Sequence, residues 1–94
     1  MHAVIRKYKF KPAASAEISK KINEGFIPLL YKSPGFVSYY WLDTGEGTGA
    51  SVSVFKDKTG SEKCARLAAD FVERNLANLV GKPEITGGKI LAQA

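Results

Sequence analysis

The segment "FVSYYWL", residues 36 to 42, concentrates the side chains best suited to binding a flat molecule. Because side chains alternate across a strand, it is predicted to place Phe36, Tyr40 and Leu42 on one face. Tyr39 and Trp41 fall on the other face. A strand with one solvated face alternates apolar with polar residues, so either both faces are covered or one of them binds a flat ligand.

The other reactive side chains stand alone. Cys64 is the only cysteine and His2 the only histidine, so one chain can form neither a disulfide nor a thiol zinc site. Cys64 lies on the apolar face of a predicted helix, which predicts a buried thiol rather than a nucleophile. There is also no carboxylate pair and no Ser/His or Cys/His grouping. Hydrolytic and metal chemistry therefore have no basis, and no metal is expected.

Composition predicts one folded domain over residues 1–94, with 45% apolar and 24% charged residues. Lys and Arg number 14 against 9 Asp and Glu, but only "RKYKFK" at residues 6–11 clusters them, which indicates a solvated face. No apolar run has the length of a signal peptide or membrane span. With a single cysteine, this predicts a cytoplasmic protein without a membrane partner.

Periodicity predicts six elements. "AVIRKYKF" and "ASVSVFK" read as strands, and "DTGEGTG" connects the second strand to the third as a hairpin. A helix from Ala13 is predicted to break near Pro28 and to end near Tyr31. "TGSE" has the spacing of a capping box, in which Thr59 would begin the second helix and Glu62 would reach back. "EITGGKILA" supplies the last strand.

This order, strand–helix–strand–strand–helix–strand, predicts an α+β, ferredoxin-like βαββαβ fold with an antiparallel four-stranded sheet and both helices on one face. A hairpin turn near Gly47 would place Trp41 opposite Ser53 and Tyr39 opposite Phe55. We expect Val52 and Val54 to face the helices, which leaves these aromatic residues on the open face. Since such a surface is rarely left in water, a symmetric homodimer is predicted.

The segments "AVIRKYKF", "EGFIPLLYKSPGFVSYYWLD", "SVSVFKDKTGSE" and "RLAADFV" resemble the antibiotic biosynthesis monooxygenase type of small protein. The resemblance covers nearly the whole chain, rests on pattern and on the "SPGF" turn, and implies that residues 1–94 form one such domain. It further implies two ferredoxin-like subunits packed sheet to sheet in a dimeric α/β barrel. Some members oxidise polyketide quinols or anthrones with dioxygen, without metal or flavin, so no cofactor is implied.

Such an oxygenase needs aromatic walls, a hydrogen-bond donor for the developing anion and a water-poor cavity. The resemblance implies Tyr39, Trp41 and Phe55 as walls around a small aromatic or quinol-like substrate. Tyr8 or Arg6 on the first strand would supply the donor. The sequence assigns no catalytic residue.

Arg66, on the second helix, is a further candidate for holding an anionic group. The competing interpretations are structural: a surface pair of Arg66 with Asp70, and dimer-interface packing for Tyr39 and Trp41. For Arg6 and Tyr8 they are a salt bridge at the sheet edge and a side chain that fills the barrel.

Other functions remain open. The haem-degrading branch of the family has Asn on strand 1, Trp late in strand 3 and His on the second helix. This chain has neither that Asn nor that His, and Phe55 stands at the Trp position, so haem degradation is not expected. A non-catalytic dimer that binds a small hydrophobic ligand, or only scaffolds, is the main alternative, since nothing demands turnover. RNA binding is weaker, because "ASVSVFKD" carries one aromatic residue where an RNA-recognition motif has several.

Overall fold

The computed structural model describes residues 1–94 as one antiparallel sheet, with strands in the order β2-β3-β1-β4, packed on one side against two helical segments. The elements are β1 (His2–Lys9), α1 (Ser15–Lys21), α2 (Ile27–Tyr31), β2 (Phe36–Gly45), β3 (Thr48–Phe55), α3 (Lys58–Phe71) and β4 (Glu84–Lys89). The predicted ferredoxin-like βαββαβ fold is confirmed. No helix has both the length and the apolar character needed to cross a membrane.

The first helical segment changes its hydrogen-bond pattern midway. A 3₁₀ turn (Pro12–Ala14) leads into α1, and a π-helical turn (Ile22–Phe26) connects α1 to α2. Pro28 has no N–H to donate to the carbonyl of Glu24, so the predicted break takes the form of this wider turn. The segment ends at Tyr31, as predicted.

The second helical segment also ends in a π-helical turn, Val72–Leu76, which follows α3. Its start differs from the prediction. Asp57, not Thr59, is the N-cap, and its Oδ1 accepts a hydrogen bond from the backbone N–H of Gly60 at 2.8 Å. Asp57 is an equally good cap residue, lies two positions earlier and has the extended backbone that a cap requires. Glu62 instead faces Lys58, with 3.8 Å between Oε1 and Nζ.

A glycine allows the two helical segments to approach each other. The rings of Phe26 and Phe71 lie 5.2 Å apart between their centroids. A Cβ atom at Gly25 would lie 2.9 Å from Cε1 of Phe71, closer than real Cβ contacts allow. Any side chain at this position would therefore require the Phe71 ring to move.

The β2–β3 hairpin turns through Glu46 and Gly47, whose φ angles of 56° and 76° fit a two-residue type I′ turn. The resulting register pairs Trp41 with Ser51 and Tyr39 with Ser53. The predicted partners, two residues further along β3, were wrong. Since the side-chain period is two, the same residues still share each face.

A bulge in β2 overturns a second prediction. Phe36 pairs with Phe55, but Ser38 pairs with Val54, so Val37 is the extra residue. The bulge moves Phe36 to the face that carries Tyr39, whereas strict alternation predicted the opposite face.

The two faces of the sheet are reversed relative to the prediction. The covered face, under the helices, includes Phe55, whose side chain is 0% exposed, together with half-buried Tyr39 and Trp41. The open face carries Tyr40 and Leu42, which are 59% and 47% exposed, with half-buried Val52 and Val54. The aromatic rings provide the volume that fills the space between sheet and helices. Two valines cannot fill it, and this is why the preference for facing valines inward failed.

Candidate functional site

Strand β1 brings two polar side chains to the middle of the covered face. Arg6 and Tyr8 are only 5% and 7% exposed, while Ile5, Lys7 and Lys9 between and beside them point to the open face. Because β1 lies between β3 and β4, both side chains project under the helices rather than at a sheet edge. A cation and a phenol are thereby held at the centre of the domain.

These side chains line a small internal space, the inner cavity, of about 30 Å³. Its sheet wall is formed by Arg6, Tyr8, Tyr39, Trp41, Ser51 and Ser53. Since a water molecule needs roughly 10–15 Å³ of such space and drug-sized ligands need roughly 300 Å³ or more, it accommodates dioxygen or one or two water molecules but no drug-sized ligand.

A larger depression, the outer groove, adjoins the inner cavity between α3 and β4 and has a volume of about 370 Å³. Arg6, Tyr8 and Val72 line both spaces and so stand at their junction. The remaining apolar wall of the groove includes Val4, Ala65, Ala69, Pro83 and Ile85. Its volume suits one aromatic ring system, and its apolar wall suits the face of such a ring.

The two π-helical turns supply much of the helix wall of the inner cavity. Ile22 and Phe26 come from the first turn, and Val72 and Leu76 come from the second. A π-helical turn is wider than an α-helical one and is often found at functional sites. Sequence reasoning missed both turns. The one available signal was Pro28, which marked the first turn only as a break.

Two hydrogen-bond donors at the inner cavity lack partners. The guanidinium of Arg6 makes no ion pair with any acidic residue and no hydrogen bond within the chain. Nε1 of Trp41 is buried without an acceptor. Unpaired buried donors cost stability, because they lose water and gain nothing in return. Both residues line the inner cavity, and such donors mark it as the place where a ligand would gain most from polar contacts.

The phenol and thiol groups around the inner cavity stay neutral near pH 7, beside the positively charged Arg6. Burial raises the pKa of Tyr8, of Tyr39 and of the Cys64 thiol, and Arg6 opposes each rise to a smaller extent. The neighbouring Tyr8 adds to the rise in the pKa of Tyr39. No carboxylate or histidine lines this space. These groups can donate hydrogen bonds, but they provide no general base.

The predicted site residues divide into two groups. Arg6, Tyr8, Tyr39 and Trp41 surround the inner cavity, and the rings of Tyr8 and Trp41 lie 5.8 Å apart between centroids. Phe55 lies in the core against Phe36, with 5.8 Å between ring centroids, and lines neither space. Cys64 is buried, as predicted.

Arg66 is exposed on α3 and lines neither the inner cavity nor the outer groove. Its expected partner, Asp70, pairs instead with Arg74, with 2.9 Å between Oδ1 and Nε. Both pairs have the same four-residue spacing on a helix, so spacing alone could not distinguish them.

Three solved structures illustrate what this fold supports in other proteins. The NE2512 protein of unknown function from Nitrosomonas europaea has a TM-score of 0.83 at 23% identity, covering 99% of this chain and 91% of its own. A mutant of the cofactor-independent oxygenase SnoaB from Streptomyces nogalater gives 0.79 at 14% identity, with coverage of 98% and 94%. The heme-degrader MhuD from Mycobacterium tuberculosis, with two hemes in its active site, gives 0.78 at 16% identity, with coverage of 100% and 99%.

A dimeric ferredoxin-like protein from an uncultured marine organism also matches, with a TM-score of 0.76 at 16% identity, covering 100% of this chain and 98% of its own. No family model matches the sequence, and no curated protein matches it either. The likeness therefore establishes the fold, and this is the fold of the antibiotic biosynthesis monooxygenase type that the sequence resembles. The same fold serves both an oxygenase and a heme degrader, so any activity must be argued from the site.

Proposed function

We propose that this chain forms a homodimeric, cofactor-independent monooxygenase-type domain that acts on a small aromatic or quinol-like substrate. The observation that carries the proposal is the convergence of Arg6, Tyr8 and Trp41 on an apolar space too small for anything but the smallest molecules. An oxygenase without a cofactor needs donors that stabilise an ionised substrate and a compartment that keeps water away.

The two adjoining spaces divide the reactants between them. The aromatic ring of the substrate occupies the outer groove, against Val72 and Ile85, with its oxygen-bearing edge at Arg6 and Tyr8. Dioxygen occupies the inner cavity behind them, whose volume of about 30 Å³ suits a molecule of two heavy atoms. This arrangement holds both reactants on either side of the same pair of donors.

The ionised substrate itself would supply the electrons that reduce dioxygen, and the chain's residues would stabilise its negative charge. Ionisation of the substrate makes its ring electron-rich, and the charge rests on the oxygen held by Arg6 and Tyr8. For a ring CH₂ group, oxidation to C=O uses all four electrons that dioxygen accepts. One oxygen atom enters the product and the other leaves as water. The proton from ionisation departs through the open groove, because the inner cavity holds no base.

A second copy of the chain would cover the open face of the sheet. Tyr40, Leu42 and Ile5 are all more than one-third exposed there and lie beside Val52 and Val54. An apolar patch on an antiparallel sheet, here with Lys7 and Lys9 toward the hairpin end of the same face, suits packing against an identical patch. The dimer predicted from the sequence is retained in this proposal, but Tyr39 and Trp41 face the helices and take no part in its interface.

The test is oxygen consumption with a panel of anthrones and naphthalene diols, with product identified by mass spectrometry after incubation under ¹⁸O₂. We expect uptake above the uncatalysed rate and one labelled oxygen atom in the product. Tyr8→Phe should lower kcat by about tenfold or more, since it removes one donor to the developing anion. Tyr31→Phe, at an exposed position outside both spaces, is the matched control. Uptake that is equal with and without protein would contradict the proposal.

A second candidate function is the non-catalytic binding of a small ligand. It is favoured by the absence of any carboxylate or histidine at the inner cavity, which leaves no general base beside Arg6 and Tyr8 on that side of the donors. Tight binding of a panel member without oxygen uptake would identify this function. Base stacking on single-stranded RNA has less support, because Tyr39, Trp41 and Phe55 lie beneath the helices.

A further inference from the structure

The buried cation at the junction of the two spaces has no counter-charge in the chain. Only 5% of the Arg6 surface is exposed, and its guanidinium has neither an ion pair nor a hydrogen bond within the chain. A charge that has so little contact with water and no counter-charge lowers the stability of a folded protein. A partner from outside the chain would offset that cost.

The charges around the junction limit what that partner can be. No acidic side chain lines the inner cavity. Two carboxylates, Glu62 and Glu73, line the outer groove, but both are exposed and neither pairs with Arg6. His2, the only histidine, also lines the groove and makes no ion pair. The junction therefore offers one buried positive charge, with negative charges further out that would repel a second anionic group.

The shapes of the inner cavity and the outer groove limit the ligand further. A guanidinium presents parallel N–H groups that match a planar pair of oxygen atoms. The inner cavity has room for only a few atoms, whereas the outer groove is wide and apolar. An anionic head group fits at Arg6 and an apolar body fits along Val72 and Ile85.

We infer that the ligand of this site is an amphipathic monoanion, a carboxylate attached directly to, or one carbon from, an aromatic ring or similar apolar body. The inference rests on the site of the proposed function and names the class of its substrate. It extends that function, because a ligand that arrives already charged needs no base in the protein to bind. The carboxylate pairs with Arg6, and Trp41 is one of the residues that line the adjoining inner cavity.

The single tryptophan makes binding directly measurable, because Trp41 lines the inner cavity and is the only fluorophore of its kind in the chain. We would titrate the protein with phenylacetate and with its neutral match, phenylacetamide. The variants are Arg6→Met and Lys7→Met, which remove the same charge from adjacent residues on opposite faces of β1. Phenylacetate should bind wild type and Lys7→Met alike and Arg6→Met at least tenfold more weakly, whereas phenylacetamide should bind all three equally.

A thermal shift on the wild-type protein provides a measurement that does not depend on any variant. Phenylacetate should raise Tm more than phenylacetamide does at equal concentration. Arg6→Met without ligand should be at least as stable as wild type, since it removes an unpaired buried charge. Phenylmalonate, which adds a second carboxylate to phenylacetate, should bind more weakly than phenylacetate.

Equal binding of phenylacetate by wild type and Arg6→Met would overturn the inference, and so would the absence of any phenylacetate binding to wild type. A marked loss of stability in Arg6→Met would also overturn it, by showing that Arg6 serves the fold. None of these outcomes decides the proposed oxygenase activity, which is measured separately by oxygen uptake. Tight phenylacetate binding without oxygen uptake on any panel member would retain the inference and reject that activity.

Discussion

The covered face of the sheet holds Arg6, only 5% exposed, and the buried Nε1 of Trp41 without partners, whereas Lys7 and Lys9, on the open face, keep their charged groups in solvent. Both faces also carry aromatic side chains, so hydrophobicity alone does not distinguish them. The difference lies in where unpaired polar groups are tolerated. A binding site is indicated where such groups are buried, and an association surface is indicated where apolar groups are exposed.

The largest expected difference between the faces concerns stability. Phe55→Ala removes a fully buried ring from the core and should lower the free energy of unfolding by about 3–5 kcal/mol. Tyr40→Ala, at a ring that is 59% exposed in the single chain, should cost the monomer about 1 kcal/mol or less. Urea denaturation at a protein concentration low enough to keep the chain monomeric measures both values. If the two losses were equal, the assignment of the faces would be wrong.

The next prediction concerns association through the open face. Leu42→Lys places a charge in the proposed interface and should weaken dimerisation by about a hundredfold, with little effect on the monomer fold. Light scattering across a concentration series, with circular dichroism as a check on folding, measures this. Lys63→Glu, an exposed change on α3, is the control and should leave the dimer intact. A wild-type chain that is monomeric at high concentration would remove the open face from consideration as an interface.

A smaller effect is expected where α3, the main cover of the covered face, begins. Asp57→Ala removes the hydrogen bond to the Gly60 N–H and should cost about 1 kcal/mol, the typical value for an N-cap. Thr59→Ala should be nearly neutral, because the Thr59 side chain makes no hydrogen bond at this helix start. Thermal unfolding of the two variants side by side distinguishes these caps. A larger loss of stability in Thr59→Ala than in Asp57→Ala would show that Thr59 is the N-cap, as the capping box predicted.

The smallest effect is expected at Asp43, which joins the end of β2 to the helical layer. Hydrogen bonds from the Ser15 hydroxyl, and secondarily from the Gly45 N–H, lower the pKa of the Asp43 carboxyl. A lowered folded-state pKa contributes stability above the unfolded value of about 3.9, and this contribution is lost as pH falls through the folded value. Ser15→Ala should move the pKa of Asp43 upward in an NMR titration, and an unchanged pKa would show that Ser15 has no part in it.

The order of elements could be predicted from the sequence because each depends on local signals. Alternation predicted the strands, four-residue spacing predicted the helical stripes, and "SPG" and "EG" marked turns. The cap of α3 was missed because Asp57 and Thr59 are equally suitable residues two positions apart. Local propensity does not rank two such neighbours.

The faces of the sheet could not be predicted in the same way. Strand β2 is apolar on both sides, so its pattern does not indicate which face turns toward the helices. The bulge at Val37 cannot be seen in the composition. The aromatic face turns toward the helices because its rings fill the space between sheet and helices. Arg6 and Tyr8 were identified as candidate donors from the family resemblance. That Arg6 lacks a partner follows only from the positions of every acidic residue, which the sequence does not give.

Strand β4 is a weakly held edge of the sheet. Every residue from Glu84 to Lys89 is exposed, two of them are glycines, and only β1 holds the strand in place. Hydrogen exchange should therefore be fastest among the sheet amides of β4, because its backbone bonds open without disturbing the core. Ile85 and Gly87 form one wall of the outer groove. Local fraying of this edge would thus open the outer groove to a ligand. A bound ligand should slow amide exchange more in β4 than in any other strand.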